Sequence, residues 1–135
     1  MTTIFIDTGG FFAALIDKDP AHIHALPEMT KLKSGKSRWI TTDYVLDETA
    51  TLLRAKGFYS SAVQLLGLQQ SSVVLKVAWI DTSRFENAYK IFTTYKDQNY
   101  SFTDCTSFAV MKELNIKSVL TTDRHFEYMG FKKIL

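Results

Sequence analysis

The stretch Thr3-Ile4-Phe5-Ile6-Asp7-Thr8-Gly9-Gly10 places a carboxylate directly after a short apolar run. A run of this length bounded by polar residues is typical of a buried strand, here residues 4–6. The glycine pair predicts a turn, after which residues 11–16 regain helical character. The stretch therefore predicts a strand, a turn and a helix, with Asp7 at the carboxyl end of the strand.

Strands and helices continue to alternate along the chain. Further strands are predicted at residues 38–41, 73–80, 117–121 and 131–135. Further helices are predicted at residues 21–33, from Thr42 or Asp43 to 55, at 60–70, at 83–95 behind a Ser83–Glu86 capping box, at 101–114 and at 124–128. Because parallel strands need crossover connections, this alternation predicts a single-domain, three-layer α/β/α fold over residues 1–135 with a central parallel sheet.

The composition restricts the class of protein. With 135 residues and 46% hydrophobic content, the chain is long enough for one domain with a full core. A net charge of +2 is too small to indicate nucleic-acid binding by itself. The single cysteine excludes an internal disulfide and a cysteine-based zinc site, and it favours the reducing cytoplasm. No segment reaches the roughly 18 apolar residues of a membrane span, so we expect no secretion and no membrane insertion.

Two aspartates follow predicted strands. Asp7 ends the first strand, and Asp123 follows the strand at residues 117–121. In open α/β sheets the functional crevice lies beyond the carboxyl ends of the strands, where the strand order reverses. If these two strands are central neighbours, as in a flavodoxin-like order, their carboxylates meet across the crevice and repel each other unless a cation joins them.

Two further acids lie on predicted helices. At about 100° per residue, Glu48 projects on the apolar side with Val45, whereas the adjacent Asp47 projects on the polar side with other hydrophilic residues. Asp104 lies in line with Phe108 on the apolar side of its own helix. Helical geometry therefore selects Glu48 and Asp104 as inward-facing acids.

Each of the four acids also has a purely structural interpretation. Asp7 fits a turn, Asp123 fits the cap of the following turn, and Glu48 fits pairing with a buried lysine. Asp104 has the spacing of a capping-box acid. The coincidence of two strand-end aspartates with two inward helical acids favours a shared site over four separate explanations.

Other titratable residues are better explained without a site. Asp81 fits a cap for the next helix, and Asp97 fits a solvated loop. His22 and His24 do not share one helix face, so they make a poor metal pair. Cys105 has no histidine near it in sequence to activate it, so we interpret it as structural.

Four segments form a specific combination in this order: Ile4-Phe5-Ile6-Asp7-Thr8, Thr42-Asp43-Tyr44-Val45-Leu46-Asp47-Glu48, Tyr100-Ser101-Phe102-Thr103-Asp104-Cys105-Thr106-Ser107 and Val119-Leu120-Thr121-Thr122-Asp123-Arg124-His125-Phe126. Over nearly the whole chain they resemble the PIN-domain endoribonucleases of the VapC toxin type. The resemblance implies a PIN-like fold and an acidic site that binds Mg²⁺ or Mn²⁺ and hydrolyses RNA phosphodiester bonds. The site residues it implies are Asp7, Glu48, Asp104 and Asp123.

The resemblance also implies neighbours and partners. Thr8 and either Thr121 or Thr122 are expected beside the acids. A cognate antitoxin is expected to occupy the groove of the toxin, and a homodimer is expected through helices near the N-terminal half. The apolar residues of 21–33 and 58–68 exceed what one small domain must bury, which is typical of an interface.

RNA binding is expected from basic and aromatic residues around the crevice. Those available are Arg38, Arg54, Lys96, Arg124, Tyr95 and Tyr100. His125 follows Asp123 closely enough to approach a substrate phosphate together with Arg124, although a surface turn explains both equally well.

Three alternatives remain at the level of the sequence. A phosphatase with Asp7 as covalent nucleophile is disfavoured because Gly9 stands where such enzymes place a second aspartate. A receiver-like signalling module would also carry an acidic, metal-binding pocket, but it would leave RNA uncut. A solitary PIN nuclease in RNA processing would share the site and lack the antitoxin.

Overall fold

A computed structural model of the protein describes residues 1–71 and 73–135. The strands are β1 (Thr2–Ile6), β2 (Ser37–Thr42), β3 (Leu75–Ala78), β4 (Ser118–Leu120) and β5 (Lys132–Ile134). The helices are α1 (Thr8–Leu15), α2 (His22–Lys33), α3 (Asp43–Ala55), α4 (Tyr59–Ser71), α5 (Thr82–Thr94), α6 (Phe102–Glu113) and α7 (His125–Tyr128), with a 3₁₀ turn at Lys96–Gln98. Among the described helices, none combines the length and the apolar character that a membrane span requires.

The five strands form one parallel sheet in the order β3-β2-β1-β4-β5. On one side β1 pairs with β2, and on the other it pairs with β4, with Phe5 opposite Val119 and Ile6 opposite Leu120. The prediction that these two strands are central neighbours is confirmed. The flavodoxin-like order is wrong, because both β2 and β3 lie on the same side of β1, as in dinucleotide-binding folds.

Helices cover both faces of the sheet. Ile4, Phe5 and Ile6 are all buried, with at most 3% of each residue exposed. Because successive side chains of a strand point to opposite faces, burial of all three requires cover on both sides. The helices that provide it pack in pairs, α1 with α2, α3 with α4, and α5 with α6. The predicted three-layer α/β/α arrangement is confirmed.

The glycine pair after β1 belongs to a helix, so the predicted turn is wrong. Helix α1 already begins at Thr8 and includes both glycines. A Cβ atom on Gly10 would lie 2.1 Å from the carbonyl oxygen of Leu120, and one on Gly9 would lie 2.6 Å from the hydroxyl oxygen of Thr122. The missing side chains therefore allow the first turn of α1 to pack directly on the end of β4.

The start of α5 also differs from the prediction. The side chain of Asp81 accepts a hydrogen bond from the backbone N–H of Arg84 at 2.9 Å, so the helix begins at Thr82. The predicted capping role of Asp81 is confirmed, and the predicted Ser83–Glu86 capping box is wrong. An acidic N-cap two residues earlier satisfies the free amides first, which leaves Ser83 inside the first turn.

We expect Gly10→Ala to destabilise the fold by about 2 kcal/mol or more, because the added methyl group meets backbone that has little room to move. Gly67→Ala is the matched control. Gly67 lies inside α4, and a Cβ there meets no atom of the described residues within 4 Å. Alanine at that position is expected to add about 0.5–1 kcal/mol of stability through helix propensity. Urea unfolding measures both, and equal effects of the two variants would contradict the packing interpretation.

Candidate active site

The four predicted acids converge at the carboxyl edge of the sheet. Asp7 directly follows β1, and its N–H extends the ladder to the carbonyl of Leu120 at 3.2 Å. Asp123 follows β4, Glu48 lies in the second turn of α3, and Asp104 lies in the first turn of α6. Asp7 interacts electrostatically with Asp104 and Glu48, and Asp104 interacts with Asp123. The structure therefore brings together the four acids that the sequence selected.

Asp7 is the most buried member of this acidic cluster, with 5% of the residue exposed. Its carboxylate accepts a hydrogen bond from the hydroxyl of Thr121 at 3.0 Å and another from the backbone of Thr8. Burial, together with the nearby carboxylates of Asp104 and Glu48, raises the pKa of Asp7 from 3.8 to about 7, although the two hydrogen bonds lower it. The metal-free site therefore holds a proton at Asp7 below about pH 7.

Glu48 faces the cluster, and its neighbour Asp47 does not. The hydroxyl of Thr8 donates to Glu48 Oε1 at 2.7 Å and lies 2.9 Å from the hydroxyl of Thr49. Asp47 is exposed to solvent. The helix-face argument thus predicted the side chain positions of both acids.

Asp104 combines two interpretations that the sequence left as alternatives. It completes a capping box with Ser101, whose side chain accepts from the Asp104 N–H at 3.0 Å while the Ser101 N–H donates to Asp104 Oδ2 at 3.3 Å. Burial and the nearby carboxylate of Asp123 raise the pKa of Asp104, and hydrogen bonds from His125 and Ser101 oppose them. Capping therefore anchors this acid inside the cluster.

Thr121 connects the two strand-end aspartates. Its hydroxyl donates to Asp7 Oδ2 at 3.0 Å and accepts from the backbone N–H of Asp123 at 3.0 Å. Thr122, the other candidate, is exposed and lies against Gly9. Of the two threonines that the resemblance left open, Thr121 is the one bonded to the acids.

His125 contacts the cluster, which the sequence did not predict. Its Nδ1 lies 3.1 Å from Asp104 Oδ2 and 3.5 Å from Asp123 Oδ1. The available signal was the spacing of two residues after Asp123, which is the reach of an Asp side chain to a backbone N–H in an Asx turn. The contact with Asp104 joins residues 21 positions apart, so only the fold shows it.

The cluster has no lysine or arginine partner in the described part of the chain. Within residues 1–71 and 73–135, its only ion-pair contacts are those of His125. The lysine partner considered for Glu48 is therefore absent from these residues, and Glu48 bonds a hydroxyl instead. Adjoining acids without a fixed cation favour a bound metal ion. Asp104, Asp123 and His125 each offer a ligand atom, and these atoms all lie within 4.8 Å of one another.

Several residues predicted to bind RNA lie elsewhere. Tyr100 is 6% exposed and packs on Phe108 with ring centroids 5.0 Å apart, so it presents no free face to a base. Arg38 lies near the amino end of β2, away from the carboxyl edge. The guanidinium of Arg54 lies over the ring of Tyr59 at 4.7 Å. Lys96, Arg124 and Tyr95 remain exposed.

Two histidines and the cysteine, for which the sequence predicts no role in the site, have the following surroundings. His22 Nδ1 lies 2.6 Å from the carbonyl of Ala13, whereas His24 is exposed. Cys105 is buried, and burial raises its thiol pKa to about 11. A thiol with this pKa is almost wholly protonated at neutral pH, so Cys105 has a structural role.

An open cleft of about 410 Å³ adjoins the acidic cluster. Thr8, whose hydroxyl bonds Glu48, lines this cleft, as do Phe12, Asp19 and Lys56. The ammonium of Lys56 is 5.6 Å from the centroid of the Phe12 ring. Next to the acids the protein therefore offers a space lined by an aromatic ring and by side chains of both charges.

Comparison with known proteins identifies the family. The PIN domain model matches residues 4–132. The chain belongs to the PIN-domain family. It is 33% identical over 132 residues to a Mycobacterium tuberculosis protein named 23S rRNA-specific endonuclease VapC20, and the match covers 97% of both chains. A VapC ribonuclease of Archaeoglobus fulgidus is 32% identical over 116 residues, covering 84% of this chain and 73% of the relative.

Solved PIN-domain structures share the fold. The crystal structure of Mycobacterium tuberculosis VapC20, described as a Sarcin-Ricin loop cleaving toxin, superposes with a TM-score of 0.82 at 30% identity and 95% coverage of both chains. VapBC2 from Rickettsia felis, solved with a DNA fragment from its promoter, gives a TM-score of 0.71 at 12% identity, with 98% of this chain and 97% of that chain covered. The VapC-type family predicted from the sequence is confirmed.

We expect Asp7→Asn to stabilise the metal-free protein at pH 8. A carboxyl whose pKa rises from 3.8 unfolded to about 7 folded opposes folding above pH 3.8, and this opposition is complete above about pH 7. It amounts to about 4 kcal/mol. The stability difference between variant and wild type should therefore grow from pH 4 to pH 7 and then level off, as measured by urea unfolding in EDTA.

The matched control is Asp47→Asn, which changes an exposed acid on the same helix as Glu48. Its stability relative to wild type should not change over the same pH range. A constant difference for Asp7→Asn from pH 4 to pH 8 would show that Asp7 is not a buried carboxyl of raised pKa.

Proposed function

We propose that this protein is a metal-dependent endoribonuclease and the toxin of a type II toxin–antitoxin pair. The observation that carries the proposal is the acidic cluster at the carboxyl edge of the sheet, in a chain that is 33% identical to VapC20 over 97% of its length. Family membership favours a nuclease over the phosphatase alternative. The strand order also separates the fold from receiver modules, whose order is 2-1-3-4-5.

The residues fit Mg²⁺ or Mn²⁺. Both ions prefer oxygen ligands, and the cluster supplies four carboxylates. Asp7 would bind the cation only after losing its proton, and the positive charge of the nearby cation would favour this loss. Asp7, Asp104 and Asp123 are the proposed metal ligands, and Glu48 completes the set from α3. A bound cation would supply positive charge that attracts an RNA phosphate and stabilises the leaving oxygen.

The side chains differ in their access to a substrate. The Asp123 side chain is 36% exposed, against 12% for that of Asp104. Asp7 is nearly inaccessible and is fixed by Thr121. We therefore assign Asp7 and Asp104 to the buried side of the cation, and Asp123 to the side of the cation that meets the RNA phosphate and the attacking water.

The surface beside the cluster suits single-stranded RNA. Helix α5 exposes Phe85, Tyr89 and Phe92 at helical spacing. The rings of Phe85 and Phe92 lie 5.0 and 5.8 Å from the ring of Phe102, which is two residues before Asp104. Exposed aromatic rings stack on unpaired bases. Because VapC20 is named as 23S rRNA-specific, 23S rRNA is the first substrate to test.

The partners follow from the same family. The proposed antitoxin would cover the acidic groove, and the proposed homodimer would use apolar residues of the N-terminal half. Ile23 and Leu26 of α2, and Val63 and Leu66 of α4, are exposed to an extent that supports such contacts. A small reading frame overlapping the start of this gene would support the antitoxin. Its absence would favour a solitary PIN nuclease.

We expect the purified protein to cut RNA in the presence of Mg²⁺ or Mn²⁺ and to lose this activity in EDTA. Asp104→Asn and Asp123→Asn should each lower the cleavage rate by about 100-fold or more, because a neutral amide holds the cation less strongly. Gel analysis of 23S rRNA fragments, with circular dichroism to verify folding, measures the effect.

Asp47→Asn again serves as the control, since it removes the same charge one residue away from Glu48 without touching the cluster. It should retain the wild-type cleavage rate. Undiminished cleavage in EDTA, or by a folded Asp123→Asn protein, would refute the proposed metal-dependent mechanism.

A further inference from the structure

We propose that His125 is a positioning residue that orients Asp104 and Asp123 toward the cation through its Nδ1 atom and its backbone N–H. The inference rests on the proposed metal site and adds a fifth residue to it. The inference concerns the orientation of the Asp104 and Asp123 carboxylates, which depends on hydrogen bonds from neighbouring residues.

His125 binds both aspartates with two different atoms. Its Nδ1 lies 3.1 Å from Asp104 Oδ2, and its backbone N–H donates to Asp123 Oδ1 at 2.9 Å. The same Nδ1 is 3.5 Å from Asp123 Oδ1. One residue therefore determines the separation of two carboxylates that would otherwise repel each other.

The contacts use one oxygen of each carboxylate. On Asp104, His125 and the Ser101 N–H share Oδ2. On Asp123, His125 engages Oδ1. Within residues 1–71 and 73–135, the protein's hydrogen bonds to these two side chains all go to those oxygens. Asp104 Oδ1 and Asp123 Oδ2 are thereby left available to a cation.

Aromatic packing holds the imidazole ring in place. The ring lies edge-on to Tyr100 with centroids 5.2 Å apart, and it is 6.4 Å from the ring of Tyr128. Tyr100 is itself buried against Phe108. The ring that carries Nδ1 therefore packs on an aromatic residue of the core.

The hydrogen bond determines which atom carries the proton. When Asp104 is ionised its carboxylate only accepts, so its hydrogen bond with His125 then places a hydrogen on Nδ1. A protonated Nδ1 has no lone pair for a metal ion. The geometry thus favours positioning over direct coordination by this nitrogen, in the manner of residues that orient metal ligands from behind.

The first test is Mn²⁺ binding by isothermal titration calorimetry at one fixed pH, with the full-length protein. We expect His125→Ala to weaken binding by about 10- to 100-fold, the range typical of residues that orient metal ligands. His125→Asn should recover a large part of the loss, because its amide N–H occupies nearly the same place as Nδ1–H. His125→Gln, whose amide reaches the position of Nε2, should not.

His24→Ala is the matched control, since it removes an exposed imidazole on α2 and should leave Mn²⁺ affinity unchanged. Thermal unfolding in EDTA identifies any variant that fails to fold. If His125→Ala is such a variant, the Mn²⁺ affinities of His125→Asn and His125→Gln are compared instead. Unchanged affinity in folded His125→Ala, or recovery by Gln but not by Asn, would overturn the positioning role.

The second test distinguishes positioning from coordination. Pulsed electron paramagnetic resonance of the Mn²⁺-loaded wild-type protein detects a nitrogen bonded to the metal. We expect no such coupling, and a coupling that disappears in His125→Ala would instead make His125 a ligand.

Asp123→Asn separates this inference from the proposed function. If Asp123→Asn keeps the wild-type Mn²⁺ affinity, the proposed metal site is wrong. If Asp123→Asn weakens Mn²⁺ binding and His125→Ala does not, only the positioning role of His125 is contradicted.

Discussion

The pairing of β1 with β4 is the constraint on which the site depends. This pairing aligns the ends of two strands that are more than 110 positions apart in the chain, and the Thr121 hydroxyl joins them by bonding Asp7. The pairing requires α1 to start against the Leu120 carbonyl, where only glycine fits at position 10. Strand order reverses at the same point, so helices diverge there and leave the carboxyl edge open. The position of the cluster is thus a consequence of sheet topology.

Electrostatics distinguishes this edge from the rest of the protein. Elsewhere two acids pair with basic side chains, Glu113 with Arg84 and Glu28 with Lys31. At the carboxyl edge, carboxylates adjoin one another, and burial raises the pKa of Asp7 to about 7. A site of this kind lowers the stability of the metal-free protein, and a cation would offset the loss when it binds. The proposed metal binding would therefore be linked to stability through the same side chains.

Local patterns predicted where several of the acidic side chains lie, and the patterns that failed did so for physical reasons. Helical periodicity separates Glu48 from Asp47, because adjacent residues of a helix point about 100° apart whatever the fold. The glycine pair was misread as a turn, since a close approach of another backbone has no local signal. The capping box on Asp104 was predicted as an alternative to a functional role, and the structure contains the capping box within the acidic cluster.

The sequence by itself determined the α/β alternation, the family and the four acids, because strand-end positions and helix faces are set by neighbouring residues. Only the tertiary structure decided the strand order, the choice of Thr121 over Thr122 and the burial of Tyr100. It also decided the contact of His125 with Asp104. These features depend on distances between segments remote in the chain, and such distances are set by packing of the whole sheet and its helices.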